Sequence, residues 1–159
     1  MKKINLKPVF LIWVLLASLI GVATVFGFTT GLMEEVNKAD FTKITFIIYG
    51  VFLIFTGLTG KLTYRATKNW ESKNEIKKLN NWGWFAASCF SYAGMIGTVI
   101  GFIFMMSSSF DNISNANVQT VIVFALGKMG LALYTTASGL ISRLLLEIQL
   151  FNLQQYLEK

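Results

Sequence analysis

The chain has 159 residues, of which 54% are hydrophobic and only 14% charged, and its mean hydropathy is +0.58. An ordinary globular domain carries about 25% charged residues, so this composition excludes a soluble domain and argues for one compact, polytopic membrane bundle with no residues left for a second domain. The net charge is +6, but the positive residues fall between hydrophobic runs, where they act as a topology signal rather than as a nucleic-acid surface.

The first apolar run, 9–30, follows Lys2, Lys3 and Lys7, with Pro8 at its entry, where a missing amide proton costs little. A signal peptide also has a basic start and an apolar middle. This run is longer than a usual signal core, so a retained first transmembrane helix is expected. A short polar link follows, Gly31 to Lys43, in which Glu34, Glu35 and Asp40 oppose Lys38 and Lys43. The second span, 44–64, has a lipid-facing character in Phe46, Ile47, Ile48, Val51, Phe52, Leu53, Ile54 and Phe55. Its Gly50, Gly57 and Gly60 offer close packing to a neighbour.

The link 65–82 is the most basic segment. With Lys61 just before it, Arg65, Lys68, Lys73, Lys77 and Lys78 face only Glu71 and Glu75. Pairs four apart, Glu71 with Glu75 and Lys73 with Lys77, suit a short surface helix. Tyr64, Trp70, Trp82 and Trp84 suit the headgroup level. The segment reads as an interfacial cytosolic linker, or more sharply as a docking surface for a soluble partner.

The third span, 83–106, is the stretch around which the chain is organised. It carries small-residue steps at Gly94, Gly97 and Gly101, with Thr98 beside the middle one. Glycine weakens a soluble helix, but in a membrane it lets another helix approach closely. Cys89, the one cysteine, has no CxxC or metal spacing around it and reads as a small buried side chain. A short polar loop, Ser107 to Gln119, with the lone acid Asp111, leads to the fourth span, 118–146. The two spans therefore form an antiparallel hairpin. Beyond it Glu147, Ile148, Leu150, Phe151, Leu153, Tyr156 and Leu157 keep helical spacing, so an amphipathic tail, 147–159, is expected to leave the bilayer. The positive-inside rule puts the N-terminus, the basic link and Arg143 on the cytosolic side. Four spans then return the C-terminus there. The fold class is all-α, a multi-pass membrane protein with four transmembrane helices.

Few side chains in these spans carry chemistry. The chain has no histidine, which removes the commonest general base and metal ligand. No enzyme, metal or cofactor is expected. Lys128 and Arg143 in the fourth span are fifteen residues apart, about 22 Å along a helix, in hydrocarbon about 30 Å thick. Both heads can snorkel to opposite surfaces. The other reading has Lys128 in an internal cavity, meeting a carboxylate from another chain. Between them lie Thr135, Thr136 and Ser138. Such hydroxyls often only bond the preceding turn. Thr136, however, shares a face with Arg143, and Thr98 shares one with Gly94, Gly101 and Met105. If those faces meet, the hydroxyls form a small belt near mid-bilayer. A belt of this kind can order water or pass a proton, but it does not titrate near neutral pH. No span contains Asp or Glu, so a proton-driven device needs a carboxylate from a different subunit.

At these residues the chain resembles a known family. SYAGMIGTVIGF is similar to the pore-helix motif of the MotA/TolQ/ExbB proton-channel family, and GLALYTTASGLI to that family's last spanning helix. The resemblance covers about Ala93 to Arg143, with both motifs in order across a short outer loop. It implies a bacterial inner-membrane protein, a homopentamer around a dimer of a single-span partner whose Asp takes up protons, working as an ion-driven motor. It matches Thr98 and Thr136 to the pore-lining threonines, with Thr135 beside them, and Gly94, Gly97, Gly101 and Gly139 to close-packing positions. The chain departs from the family at Leu131, where some members have a glutamate, and at Lys128, where a small residue is usual. Its basic link is much shorter than a flagellar stator's rotor-contacting loop, which argues against a flagellar rotor as the load. The competing expectation is a non-conducting scaffold or anchor in which the same hydroxyls merely pack.

Overall fold

The computed structural model describes residues 7–39, 43–68, 73–110 and 118–158. Expectations attached to Glu71, Trp70, Asp40 and Asp111 lie outside these residues, and so do those on the side chains of Glu35, Lys38, Lys73, Met105, Lys128 and Leu131. All the regular structure described is helical: α1 Lys7–Thr29, α2 Leu32–Ala39, α3 Ile44–Thr67, α4 Lys73–Phe110 and α5 Val118–Leu157. Among the described residues, three helices are long and apolar enough to cross a membrane: Pro8–Thr29, Ile44–Thr67 and Asn74–Phe104. The fourth expected span falls in α5.

The polar link after α1 is more ordered than its composition suggests. α1 ends at Thr29, and two residues on Gly31 takes a φ of +76°, a left-handed conformation that costs glycine little. The Gly31 carbonyl then accepts the Glu34 amide at 3.0 Å, which starts α2. Lys43 enters α3 with φ 52°, and its carbonyl accepts the amides of Phe46 and Ile47. On the other side of the bundle α3 continues to Thr67 and α4 begins at Lys73. Glu75, Lys77 and Lys78 therefore sit on the first turns of a 38-residue helix rather than on a separate surface helix.

α4 and α5 form the central antiparallel pair, and α3 and α1 pack on it in that order. The register is fixed at two points. Gly94 lies against Gly139, and Gly83 lies against Leu150; the two contacts are the same number of residues apart on each helix. One apolar core joins Ile20, Ile48, Phe52, Ala87, Phe90, Leu146 and Leu150. A smaller one joins Ala66, Ile76 and Leu153 at the basic end. Phe52 and Phe55 both meet the edge or face of Phe90, with ring centroids 6.3 Å apart in each pair, an arrangement aromatic rings favour. Besides Ile20 in the core, α1 is held by side-chain contacts to α3 and α5. Trp13 lies on Gly60, the Thr24 and Tyr49 hydroxyls are hydrogen-bonded, and Asn152 Nδ2 donates to the Val9 carbonyl at 3.0 Å.

Two expectations about faces need correction. Ile48 and Phe52, grouped with the lipid-facing residues of the second span, are buried at 3% and 2% exposure, while Ile47, Val51, Leu53 and Ile54 do face outward. Cys89, expected inside, is exposed. In both cases α3 or α4 is apolar all round, so composition does not say which face meets its neighbours. Of the three glycines in α3, only Gly60 is a close contact; a Cβ at Gly50 or Gly57 would meet nothing within 4 Å.

Candidate functional site

α4 and α5 meet backbone to backbone at two glycines, Gly94 and Gly139. A Cβ on Gly139 would lie 2.5 Å from the Phe90 carbonyl oxygen and 3.0 Å from Gly94 Cα. A Cβ on Gly94 would lie 2.9 Å from the Thr135 carbonyl oxygen and 3.1 Å from Thr136 Cα. Backbone therefore meets backbone at this crossing, which only residues without side chains permit. One turn along, a Cβ on Gly97 would lie 3.0 Å from Thr135 Cβ and Oγ1. Gly101 is half-buried.

That approach brings three hydroxyls to one carbonyl. Thr98 Oγ1 donates to the Gly94 carbonyl of its own helix at 3.0 Å. Thr136 Oγ1 reaches the same oxygen across the interface at 3.2 Å, and Thr135 Oγ1 does so at 3.5 Å. The Thr98 hydroxyl is also hydrogen-bonded to that of Thr136, and it lies 3.4 Å from that of Thr135. Thr135 is buried at 3% exposure, while Thr98 and Thr136 are half-buried. The site is thus a row of neutral donors and acceptors, closed on the Thr135 side and partly open beside Thr98 and Thr136. It can order water or hand on a proton between hydroxyls. It holds no group that stores a charge.

These contacts separate this cluster from most other hydroxyls of the chain. Thr59 donates to the Phe55 carbonyl at 2.9 Å and Thr63 to that of Thr59 at 2.8 Å. Ser88 donates to the Trp84 carbonyl at 3.3 Å. All three are intrahelical bonds of the ordinary kind. A second interhelical hydroxyl contact, Thr24 with Tyr49, carries no sequence signal, since tyrosine and threonine 25 residues apart form no motif. It borders an apolar cavity of about 440 Å³ between α1, α3 and α5, where Ser138 and Ser142 also lie.

Arg143 is not part of the hydroxyl cluster. Its Nε donates to Glu147 Oε1 at 2.8 Å, one turn further along α5, with side-chain exposures of 40% and 26%. The pair is a partly solvated i,i+4 bridge, a geometry that contributes little to stability. The side chain of Lys128 lies outside those described, so both readings of it stay proposals.

The sequence pattern of the MotA/TolQ/ExbB proton channel family matches residues 59–156. This stretch spans the last third of α3, all of α4 and all but the final residue of α5, and it includes the whole threonine cluster and both glycine contacts. No curated protein and no solved structure gives a match.

Proposed function

Because this chain belongs to the MotA/TolQ/ExbB proton channel family, we propose that it is the channel subunit of an ion-driven motor in a bacterial inner membrane. Copies of the chain form a ring, a pentamer on the family pattern, around a dimer of a single-span partner. α5 is the fourth crossing, and its last turns emerge with the basic ends of α3 and α4 into the cytosol. The chain acts as a conduit, not as an enzyme.

The observation that carries this reading is the convergence of Thr98, Thr135 and Thr136 on the Gly94 carbonyl. A charge at the bilayer centre is costly, and the apolar runs 9–30, 44–64, 83–106 and 118–146 hold no Asp or Glu. The conduit lowers that cost by offering hydroxyls, and the titrating carboxylate comes with the partner helix. A proton bound there is taken up from outside and released inside, and the hydroxyl row gives the ion or its water a polar surface while the rest of the passage stays apolar.

The test is proton uptake by vesicles containing the chain with its partner under an imposed gradient. Thr136→Leu is expected to abolish uptake while the complex still purifies intact, and Thr98→Val to reduce it strongly. A particle image is expected to contain two foreign helices inside the ring. Unchanged flux in both variants would overturn the pore assignment.

One observation favours the scaffold reading. Every hydroxyl of the cluster already has a carbonyl partner, as packing alone requires. Under that reading the wild-type assembly forms but passes no protons, so the same flux measurement separates the two.

A further inference from the structure

Between α3 and α4 lies a slot that changes character along its length. It is a cavity of about 280 Å³, walled by Phe55, Leu58, Leu62 and Leu79, with Leu150 of α5 reaching it beside Gly83. It opens to the outside of the bundle, where Leu58, Leu79 and Trp82 are 48%, 45% and 63% exposed. Thr59 also lines it, but its hydroxyl already donates to the Phe55 carbonyl at 2.9 Å. The inner wall therefore offers carbon to an occupant. Toward the basic end the wall becomes charged. Lys61 and Arg65, four apart and so on one face of α3, line the mouth, and no acid is among the described residues around the slot.

Depth and width decide what fits. From Phe55 to Arg65 the slot follows ten residues of α3, about 15 Å, which is half of a hydrocarbon core about 30 Å thick. It is one leaflet deep. Its volume is far below what an α-helix about 10 Å across takes up over that length, so it seats a single flexible chain rather than a helix from a second copy. An exposed tryptophan at the end of an apolar span sits at the headgroup level. Lys and Arg at that level lay their stems along apolar surface and hold their charges among the headgroups. Two cations over an apolar slot are complementary to an anionic head on an apolar tail, and anionic lipids attract each such cation. Free phosphate would satisfy the mouth alone and leave the apolar walls uncovered.

We propose that this slot binds one anionic phospholipid from the leaflet at the basic end, with an acyl chain between α3 and α4 and the phosphate at Lys61 and Arg65. On the topology proposed above this is the inner leaflet; the site does not depend on the channel reading. The bound chain is a packing element. No described glycine brings the backbone of α3 against that of α4, as Gly94 and Gly139 do for α4 and α5, and the lipid fills the gap that the side chains leave.

Brominated lipids test the site, because bromine quenches the fluorescence of an indole beside it. The assembly of full-length chains is placed in phosphatidylcholine vesicles with a small, rising fraction of phosphatidylglycerol brominated on its acyl chains, or with the same fraction of phosphatidylcholine brominated alike. Phosphatidylglycerol is expected to reach half-maximal quenching at a fraction about tenfold lower, as two cations at the phosphate imply. Trp82→Phe is expected to remove the part of the signal that saturates early. Lys61→Gln with Arg65→Gln is expected to make the two lipids equal, whereas the exchange Lys61→Arg with Arg65→Lys keeps the preference. Lys68→Gln with Lys77→Gln removes as much charge outside the slot and is expected to leave the preference intact. Equal quenching by the two lipids in the wild type would overturn the site, and that comparison needs no variant that could fail to fold. A preference lost equally in the Lys68 and Lys77 variant would mean diffuse attraction to a basic surface and would overturn it too. So would reversal of the quenching by inorganic phosphate, which would make free phosphate the ligand. A Trp82 that neither lipid quenches would mean that a neighbouring copy covers the slot, and the lipid site would fall. Proton flux, present or absent, bears on the channel reading alone.

Discussion

At Gly139 an added methyl group has nowhere to go. It would stand 2.5 Å from a carbonyl oxygen in the facing helix, and backbone does not yield as a side chain does. Gly139→Ala is therefore expected to force α4 and α5 apart, at about 1–3 kcal/mol by the usual cost of overpacking, and to lower both the thermal midpoint of the assembly and its proton flux. Gly57→Ala is the control. Open space surrounds that position, and replacing a mid-helix glycine gains about 0.5–1 kcal/mol, so its midpoint should be unchanged or higher. Gly83 falls between the two, because its close neighbour is the end of the Leu150 side chain, which can rotate. The small-residue spacing in the sequence singled out Gly94, Gly97 and Gly101, and the family resemblance added Gly139. The spacing gave no way to tell Gly60 from Gly50 or Gly57, since the difference is made by Trp13 arriving from another helix. For the same reason Cys89 read as buried: its neighbours in sequence are as apolar as those of Ala87, and only the packing of α5 distinguishes the two faces.

At the scale of elements, α4 and α5 are welded by backbone contact, whereas α1 is fastened by side chains. Tyr49→Phe removes the hydroxyl that meets Thr24. Interhelical hydrogen bonds in membranes average about 0.6 kcal/mol, so the expected effect is a small fall in midpoint with the α4–α5 pair intact. Gly60→Val would expel the Trp13 ring and should free α1 far more, seen as faster proteolysis near the N-terminus with the α4–α5 pair still protected. Glu147→Gln, which breaks the half-exposed bridge to Arg143, should cost less than about 1 kcal/mol. The helices themselves were legible as apolar runs of sufficient length. Their ends were not. α3 reaches Thr67 and α4 starts at Lys73 because the basic turns between the two apolar runs still satisfy their backbone as helix, and charge alone does not end a helix. α2 went unseen because eight residues of mixed polarity carry too little periodicity to separate a short helix from a turn.

At the scale of the whole molecule, charge sets direction. The ends of α3 and α4 that meet at residues 61–78 carry Lys61, Arg65, Lys68, Lys77 and Lys78, and the opposite end carries Glu34. In a Cys89→Ser background, Lys77→Cys should resist a membrane-impermeant thiol reagent applied to spheroplasts, and Glu34→Cys should react. The reverse pattern would invert the topology and with it the direction of proton flow.

The lengths of α4 and α5 have one more consequence. At 38 and 40 residues they measure about 57 and 60 Å, nearly twice the hydrocarbon thickness of about 30 Å. They stay joined past that thickness, with Ile76 and Leu153 sealed together beside Ala66. No hinge interrupts either rod between the glycine crossing and this outer clasp. A small tilt imposed at the crossing would swing the clasp through a larger arc, so on the motor reading proposed above the far end of this pair is where force would reach a load.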